Sequence, residues 1–295
     1  MDPAVIFSTQ LNDLLRLVAR QLLAALALIL AGILPCAAQS SGVPALWDAR
    51  ERLPSPDLSQ LTRLRFLTTT DFPPFNFLDP GGRLVGLHID LARAICAELN
   101  VTDRCQIQAL PWDELQSALE NGDGEAILAG ISVTAQARAT YAFSRPYMIF
   151  PARFLVRRNS ALAEPLSQAL AGQRVGVVAG STHERMLRAY FPKAKVITYS
   201  NAEWTYRDLR DGSLAAVFAD GMQLSMYLGS IDHMDCCKFA GGAYISPEFL
   251  GQGLSIAVSP ENRSLTDAMD YALHAISTKG KMTELYLRYF PVGFF

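Results

Sequence analysis

The sequence predicts an α/β protein with two lobes, each built on a mostly parallel sheet, connected by a doubled strand crossing. From Leu64 onward, short apolar segments of strand length alternate with segments of helical period, an order typical of a parallel sheet covered by helices. A second series of the same kind starts at Arg174, and a doubled strand crossing between two lobes is the simplest way to connect the series. The chain of 295 residues is long enough for two modest domains.

The composition narrows the class of partner. The net charge is −2 and 18% of the residues are charged, with no run of lysine and arginine, which argues against binding to nucleic acid. Hydrophobic residues make up 50% of the chain, enough for a substantial core. No internal period of the length found in repeat proteins is visible. These values indicate a globular protein that does not bind nucleic acid.

The amino terminus has the pattern of a secretory signal peptide. An uninterrupted apolar run spans residues 22–34, follows Arg16 and Arg20, and leads into the segment 35–39, which contains two alanines. The run is shorter than the ~20 residues that span a bilayer. The pattern therefore predicts a signal peptide over 1–38, cleavage after Ala38, and export.

Two alternatives to a cleaved signal peptide stay open. Asp2 and Asp13 precede the apolar run, as in a segment retained as an anchor, and Cys36 offers a lipoprotein site. The next residues, 39–62, are rich in Ser, Pro and mixed charge and have no sustained period, which is typical of a linker or a loosely packed lead-in. We expect the folded body to begin near Arg63.

The first series of elements predicts a first lobe over residues 63–154. The aromatic turn Asp-Phe-Pro-Pro-Phe at 71–75 cannot continue the strand before it, because proline has no amide hydrogen. After Pro111, a second helix is indicated by Trp112 and by apolar residues at helical spacing behind it. Strands are predicted at 64–68, 105–110, 125–131 and 154–156, and helices at 89–99 and from 112 to about 120.

The stretch 123–147 holds a candidate site of this lobe. Its apolar run passes Gly130 and ends at Ser132, where small side chains let a ligand approach the backbone and a hydroxyl can bond it. Arg138 and the aromatic segment 143–147 follow. Strand, hydroxyl-rich turn, cation and aromatic together are typical of a small-molecule site at the carboxyl end of a strand. An ordinary connection with a surface arginine has the same pattern.

The second series predicts a second lobe over residues 155–254. Ser181 with Glu184 three residues later is a capping box, so a helix begins there with its first amides directed at the preceding strand end, where an anion could sit. Asp220 ends a later strand. Strands are predicted at 174–178, 196–199, 215–219 and 254–258, and helices from 181, at 203–210, at 222–228, and from 259 to a stop at Gly280.

These residues resemble those of the periplasmic solute-binding proteins for polar amino acids that serve ABC importers. The segments that carry the resemblance are 71–75, 86–92, 130–134, 143–147, 176–182 and Asp220, and it extends over about 64–290. It implies two lobes that close on a ligand about a two-stranded hinge, with 255–295 returning to the first lobe. It also implies a periplasmic monomer, an ABC permease and a small amino-acid-like solute as partners, and no catalytic residue, cofactor or metal.

Position by position, the resemblance assigns ligand-binding residues in the first lobe. Phe72 and Trp112 match the aromatic pair that packs on the ligand side chain, although both are also compatible with an ordinary core. Gly130 and Ser132 match the positions whose backbone and hydroxyl hold the amino and carboxyl groups of the ligand.

In the second lobe the resemblance assigns three more residues. Ser181 and Thr182 match the helix start that binds the ligand carboxylate, and Asp220 matches the carboxylate that pairs with the α-ammonium. An acid at a strand end is otherwise a solvated loop residue or a helix cap, so this assignment rests on the resemblance.

Three positions depart from the family pattern. The arginine for the ligand carboxylate stands three residues after the threonine of the Ser-x-Thr turn, where this chain has Ala137, with Arg138 one residue later. Such a shift rotates a side chain by about 100° around a helix. His88 occupies the first acidic position of the aspartate-rich signature, and Thr69 stands where some relatives that bind basic amino acids carry an acid. The ligand class and the role of Arg138 therefore stay open.

No pattern of catalytic chemistry is evident in the sequence. It contains no HExxH, GxSxG, P-loop or GxGxxG motif, and its 4 histidines are scattered without metal-ligand spacing. Cyclohexadienyl dehydratases share the fold and most of the motifs, so an enzyme with His183, Glu184 or Asp220 as general acid is one alternative. A membrane-anchored ligand sensor is another.

The cysteines can form disulfides if the chain is exported, because export implies an oxidising compartment. The resemblance places a disulfide, present in some relatives, at the helix–strand connection between Cys96 and Cys105, and we expect that bridge. Cys236 and Cys237 are adjacent; a vicinal disulfide, two free thiols and a dimer contact all stay open for them.

Overall fold

The structure, a computed structural model, describes residues 46–230 and 235–295. The predicted signal peptide, the first part of the predicted linker and Cys36 lie outside these residues. Within the described ranges, no helix combines the length and the apolar composition needed to cross a bilayer.

The described strands form two five-stranded sheets and one three-stranded sheet. The first sheet contains β1 (Leu64–Thr68), β5 (Cys105–Ala109), β6 (Ala126–Ile127), β7 (Ala142–Phe143) and β13 (Ala257–Val258), in the order β5-β1-β6-β13-β7. The small sheet contains β2 (Asp71–Phe72), β3 (Asn76–Leu78) and β4 (Leu84–Val85). The second sheet contains β8 (Ala152–Arg157), β9 (Arg174–Val178), β10 (Lys195–Tyr199), β11 (Ala216–Asp220) and β12 (Cys237–Tyr244), in the order β10-β9-β11-β8-β12.

Each large sheet has one strand that opposes the rest. In the first sheet, β5 and β6 run parallel to β1, and β13 runs antiparallel to both β6 and β7. In the second sheet, β10 and β11 run parallel to β9, and β8 runs antiparallel to both β11 and β12. In the two large sheets all strands except β13 and β8 therefore point one way, which confirms an α/β fold with mostly parallel sheets; the small sheet is antiparallel.

Helices connect the strands and supply the rest of the core. They are α1 (Leu87–Glu98), α2 (Leu115–Glu120), α3 (Ala137–Thr140), α4 (Leu166–Ala169), α5 (Thr182–Tyr190), α6 (Ala202–Arg210), α7 (Gly221–Gly229), α8 (Pro247–Leu250), α9 (Arg263–Thr278) and α10 (Lys281–Tyr289). A 3-10 turn at Trp112–Glu114 precedes α2. The apolar side of α9 packs in one cluster with α1 and the first sheet, through buried residues such as Leu265, Met269 and Leu273.

The chain crosses between the sheets twice, and the two crossings pair with each other. The amide of Tyr147 donates to the carbonyl of Leu254 at 2.9 Å, and the amide of Leu254 donates to Met148 O at 2.8 Å. Gly253 has a φ of +94°, and a Cβ there would overlap the carbonyl oxygen of Met148. These crossings form the two-stranded hinge that the sequence predicts.

The start of the described lead-in, 46–62, is anchored to the folded body. Trp47 is 5% exposed and belongs to the core around the first sheet. The Arg145 guanidinium lies 5.1 Å from the Trp47 ring centroid and makes two hydrogen bonds of 2.7 Å to the Glu51 carboxylate. These contacts join distant parts of the chain, which a search for local periodicity cannot detect.

Several predicted bounds differ from the observed ones. The strands expected at 125–131 and 254–258 are confined to β6 and β13, and Leu254 instead forms isolated bridges with Ser132 and Met148. The boundary expected after Phe154 falls inside β8, which starts at Ala152. The residues alone do not predict β12 and α10, because β12 contains two glycines and Gly280 has the pattern of a helix stop although a further helix begins directly after it.

Both pairs of cysteines are bonded in the structure. Cys96, near the end of α1, and Cys105, at the start of β5, form the disulfide that the resemblance implies. Cys236 and Cys237 form a vicinal disulfide at the start of β12. Two free thiols and a dimer contact are therefore not what the structure shows for the second pair.

Candidate functional site

A cavity with an aromatic wall opens beyond the carboxyl end of β1. We call it the aromatic cavity; its volume is about 300 Å³, and its lining residues are Thr69, Asp71, Phe72, Trp112, Ala129 and Gly130. An adjoining cavity of about 250 Å³ shares Thr69, Asp71 and Trp112. Volumes of about 300 Å³ and more are typical of small-molecule sites.

The aromatic wall depends on a glycine. The Phe72 ring stacks on Phe75 with 4.7 Å between centroids. Gly130 has a φ of +84°, and a Cβ there would lie 2.6 Å from Cε1 of Phe72, so a larger residue would displace the ring. Trp112 is 55% exposed, which argues against a core role for its indole. The structure thus brings Phe72, Trp112 and Gly130 to one cavity.

Ser132 and Arg138 do not line the aromatic cavity. Ser132 is exposed and forms a backbone bridge with Leu254 of the hinge, and it does not line the aromatic cavity. The Arg138 guanidinium donates to Oε1 of Gln252 at 2.9 Å and lines a separate cavity of about 470 Å³ together with Arg263. The structure does not bring Arg138 to the aromatic pair.

Ser181 caps α5 in the manner that the capping box predicts. Its hydroxyl donates to Val178 O at 2.7 Å and accepts from the amide of Glu184 at 3.1 Å. The Glu184 carboxylate in turn accepts from the amide of Gly180 at 2.8 Å. The hydroxyl proton of Ser181 is therefore occupied, and a ligand anion would meet the amides at the start of α5, where Thr182 is the first residue.

Asp220 lies at the same edge of the second sheet. It ends β11, which pairs in parallel with β9, so the residues after both strands share the carboxyl edge. Its Oδ1 accepts from the amide of Gln223 at 3.0 Å and caps α7. Burial raises the pKa of the Asp220 carboxyl, against the lowering effect of the Gln223 and Met222 amides, and no cation in the described part of the chain contributes. A carboxyl desolvated without a counter-charge is suited to a ligand cation.

The three side chains nominated as general acids differ in protonation. A hydrogen bond from Arg188 and one from the Gly180 amide hold the pKa of Glu184 below its usual range, so it is ionised at neutral pH. Burial lowers the pKa of His183 to about 4, which leaves its ring neutral. Only Asp220 has a raised pKa, so it alone of the three retains its proton to a higher pH than usual.

Thr69 and Asp71 were not predicted as site residues, although both line the two cavities. Two signals were available: Asp71 belongs to the same proline-rich turn as Phe72, and Thr69 stands where some relatives that bind basic amino acids carry an acid. Within the described residues, no group of three or more His, Cys, Asp or Glu side chains is arranged to hold a metal ion.

Comparison with known proteins identifies the family. Residues 64–292 match the bacterial extracellular solute-binding proteins, family 3. The chain belongs to this family. The match spans both large sheets and both crossings of this solute-binding protein, so the whole two-lobed body is included.

Individual relatives agree with this assignment. This solute-binding protein is 26% identical over 235 residues to the ABC transporter arginine-binding protein 1 of Escherichia coli, covering 79% of this chain and 93% of the relative. The L-cystine solute receptor of Neisseria gonorrhoeae, in its unliganded open conformation, superimposes with a TM-score of 0.67 at 16% identity, over 79% of this chain and 94% of that one. An ancestral cyclohexadienyl dehydratase superimposes with a TM-score of 0.65 at 22% identity, over 82% of this chain and 98% of that one. At these identities the two structures show the fold alone, and they confirm that it is two-lobed.

Proposed function

We propose that this chain is the exported substrate-binding component of an ABC importer and carries an α-amino acid between its two lobes. The match to an extracellular solute-binding family and the E. coli ABC transporter relative support this role. We further propose that the protein is a periplasmic monomer that delivers its solute to a permease. Its lobes would be 63–151 with 254–295, and 152–253, so that each includes one large sheet.

Asp220 is the observation on which the amino-acid proposal rests. It is a half-buried carboxyl at the carboxyl edge of the second sheet, its pKa is raised by desolvation, and no cation of the described residues lowers it. A ligand ammonium would supply the missing charge. The anionic end of the same ligand would meet the first amides of α5 at Ser181 and Thr182, which reach the same edge.

The first lobe would hold the rest of the ligand. The aromatic wall of Phe72 and Trp112 offers apolar surface to the ligand stem, while Gly130 and Ser132 lie in the segment that runs from the cavity to the hinge. Because Arg138 bonds Gln252 instead, we assign the ligand carboxylate to the second lobe and not to Arg138. Arginine, which names the E. coli relative, is one member of the proposed class.

A calorimetric screen of the twenty common amino acids and their close analogues tests this proposal. For the best ligand, Asp220→Asn should raise the Kd about 100-fold or more, since removing one partner of a buried charge pair costs about 3–5 kcal/mol. Ser132→Ala is the matched comparison and should raise the Kd only about fivefold, the effect of one neutral hydrogen bond of about 1 kcal/mol. Wild-type affinity in Asp220→Asn would contradict the ammonium assignment.

The dehydratase alternative has one observation in its favour, the raised pKa of Asp220, which suits a general acid. Incubation of the purified protein with prephenate or arogenate separates the two functions. We expect neither compound to be consumed, and turnover abolished by Asp220→Asn would replace the binding proposal with the enzymatic one.

A further inference from the structure

The segment 290–295 is held in the first lobe and touches the second. Phe290 and Phe294 are fully buried in the core cluster around the first sheet. The amide of Phe294 donates to the hydroxyl of Tyr286 in α10 at 2.7 Å. Between these anchors, Val292 packs against a cluster of the second lobe that includes residues of α6 and α7. The segment is therefore fixed to one lobe while its middle residue lies on the other. We call it the clasp.

Two carbonyl oxygens of the clasp accept hydrogen bonds from side chains of the second lobe. The hydroxyl of Ser225, in α7, donates to the carbonyl of Val292. Nη1 of Arg153, in β8, donates to the carbonyl of Phe294 at 3.3 Å. Ser225 is 2% exposed and Arg153 is 6% exposed. Because water has little access to either donor, each bond contributes to the free energy that holds the clasp on the second lobe.

Arg153 is a buried cation without a counter-charge. Burial lowers the pKa of its guanidinium, and no carboxylate of the described residues raises it. Its other contacts are the carbonyl of Gly241 at 3.0 Å and the ring of Phe239, whose centroid lies 4.4 Å away. A buried charge of this kind costs free energy unless its hydrogen bonds compensate. One of those bonds crosses from the second lobe to the clasp.

The two lobes are apart in this structure. The aromatic cavity is lined by residues of the first lobe, and no second-lobe residue closes it. Trp112 of the first lobe is 55% exposed, and Gly180, at the end of β9 in the second lobe, is also exposed. The contacts of the clasp with Ser225 and Arg153 are therefore contacts of the open form.

Closure displaces Ser225 relative to the clasp. Gly221, the first residue of α7, donates its amide to the carbonyl of Pro151 in the first crossing at 2.7 Å. Ser225 stands four residues later, about 6 Å further along the helix axis. A rotation at the crossings moves the Ser225 hydroxyl with the second lobe, whereas the clasp stays with the core of the first. Since a hydrogen bond weakens steeply with distance and angle, the contact with Val292 is lost when the lobes turn.

We propose that the clasp, residues 290–295, holds the open form and is released from Ser225 and Arg153 when a ligand closes the lobes. Each of the two bonds stabilises the ligand-free protein against closure. Each therefore raises the Kd of a ligand that bridges the lobes, although neither side chain touches that ligand. The proposal rests on the part of the proposed function in which a ligand closes the lobes, and not on the ligand being an amino acid.

Ser225→Ala tests the clasp, because it deletes the hydroxyl that reaches Val292. Calorimetry on the mature chain with the ligand from the screen should give a Kd about fivefold below that of the wild type, the effect of one neutral hydrogen bond. Thr205→Val is the matched control, since that hydroxyl is 1% exposed and donates to Ala202 O of its own helix at 2.6 Å. Its Kd should equal that of the wild type. An unchanged or higher Kd in Ser225→Ala would overturn the proposal.

A measurement without ligand separates this proposal from the proposed function. Gln116 and Arg185 are exposed and lie on different lobes, and the described cysteines are paired in disulfides. Gln116→Cys and Arg185→Cys therefore take spin labels selectively in the mature chain. Pulsed electron paramagnetic resonance should show a second distance between the labels when Ser225→Ala is combined with Arg153→Met. The same distance distribution with and without these two substitutions would overturn the clasp. If no amino acid binds, the proposed function fails, and the labelled protein still decides whether the clasp exists.

Discussion

At the scale of single residues, burial decides which titratable groups respond to pH. His88 is fully buried among Phe72, Phe75 and Tyr147, and desolvation lowers its pKa to about 3. In the unfolded chain a histidine titrates near pH 6.5. Between these two values the unfolded state binds a proton that the folded state does not. The neutral ring therefore contributes stability above about pH 6.5, and that contribution is lost progressively as the pH falls toward 3.

We expect the free energy of unfolding to fall by about 2 kcal/mol per such histidine between pH 7 and pH 5, from proton uptake by the unfolded chain. Urea unfolding of the wild type and His88→Asn at both pH values measures it. Groups other than His88 titrate in both proteins and cancel in the comparison. The wild type should lose about 2 kcal/mol more than the variant, and equal losses would show that His88 is protonated in the folded state.

The orientation of Arg138 makes a second prediction at this scale. Its guanidinium bonds Gln252 and lines a cavity away from Phe72 and Trp112. Arg138→Gln should therefore change the ligand Kd by less than about threefold, since an exposed pair contributes about 1 kcal/mol or less. Calorimetry with the ligand found by the screen provides the measurement. A loss of about 100-fold would mean that the arginine turns into the site when the ligand binds.

At the scale of elements, the lead-in segment behaves as part of the first lobe. Trp47 packs at 5% exposure beneath the Arg145 guanidinium, with its ring 6.0 Å from His274 of α9. The segment also lies beside the first crossing, because Arg145 precedes Tyr147 by two residues. Leu46 and Trp47 therefore lie between the first crossing and α9, where they share a small cavity with Tyr147 and Ser277.

Truncating Trp47 should cost about 3–5 kcal/mol of unfolding free energy, the usual range for a buried aromatic residue replaced by alanine. Trp204→Ala is the matched control; that indole is 51% exposed, and its loss should cost about 0.5 kcal/mol. Chemical denaturation of both variants gives the comparison. Similar small losses for the two would mean that the lead-in contributes nothing to the folded body.

The elements that the sequence predicts are those specified by adjacent residues. The strands at Leu64–Thr68 and Arg174–Val178 are apolar runs of strand length, and the start of α5 follows from a serine and a glutamate three residues apart. By contrast, β12 carries Gly241 and Gly242 and gains its strand character only from pairing with β8. Strand pairing between distant segments overrides local preference there.

The candidate site likewise contains residues that adjacent sequence identifies and contacts that only the fold reveals. The proline-rich turn and the capping box identify Phe72 and Ser181 because their chemistry is local. The hydrogen bonds from Asn76 to Thr69 and from Tyr147 to His88 connect β3, α1 and the first crossing, so only the folded arrangement reveals them. The direction of Arg138 likewise depends on where α3 begins, and helix boundaries are the least certain part of any reading from sequence.

At the scale of the whole molecule, the hinge determines whether the two lobes can close on a ligand. Ligand binding that bridges two lobes stabilises the closed form, and the φ and ψ changes are absorbed by a few residues of the crossings. Gly253 is such a position, with a φ of +94° and its Cα against the Met148 carbonyl. Gly242 in β12 is a suitable comparison, since a Cβ there meets nothing within 4 Å.

We expect ligand binding to reduce the radius of gyration of the wild type in small-angle X-ray scattering. Gly253→Ala should weaken that response and raise the ligand Kd about tenfold or more, because a Cβ at positive φ costs about 1–2 kcal/mol and the overlap with Met148 O forces the second crossing outward. Gly242→Ala should close and bind as the wild type does. If Gly253→Ala closes to the same radius at the same ligand concentration, the crossing at Leu254 is not the point about which the lobes move, and the pairing of Met148 with Leu254 serves only to hold the lobes together.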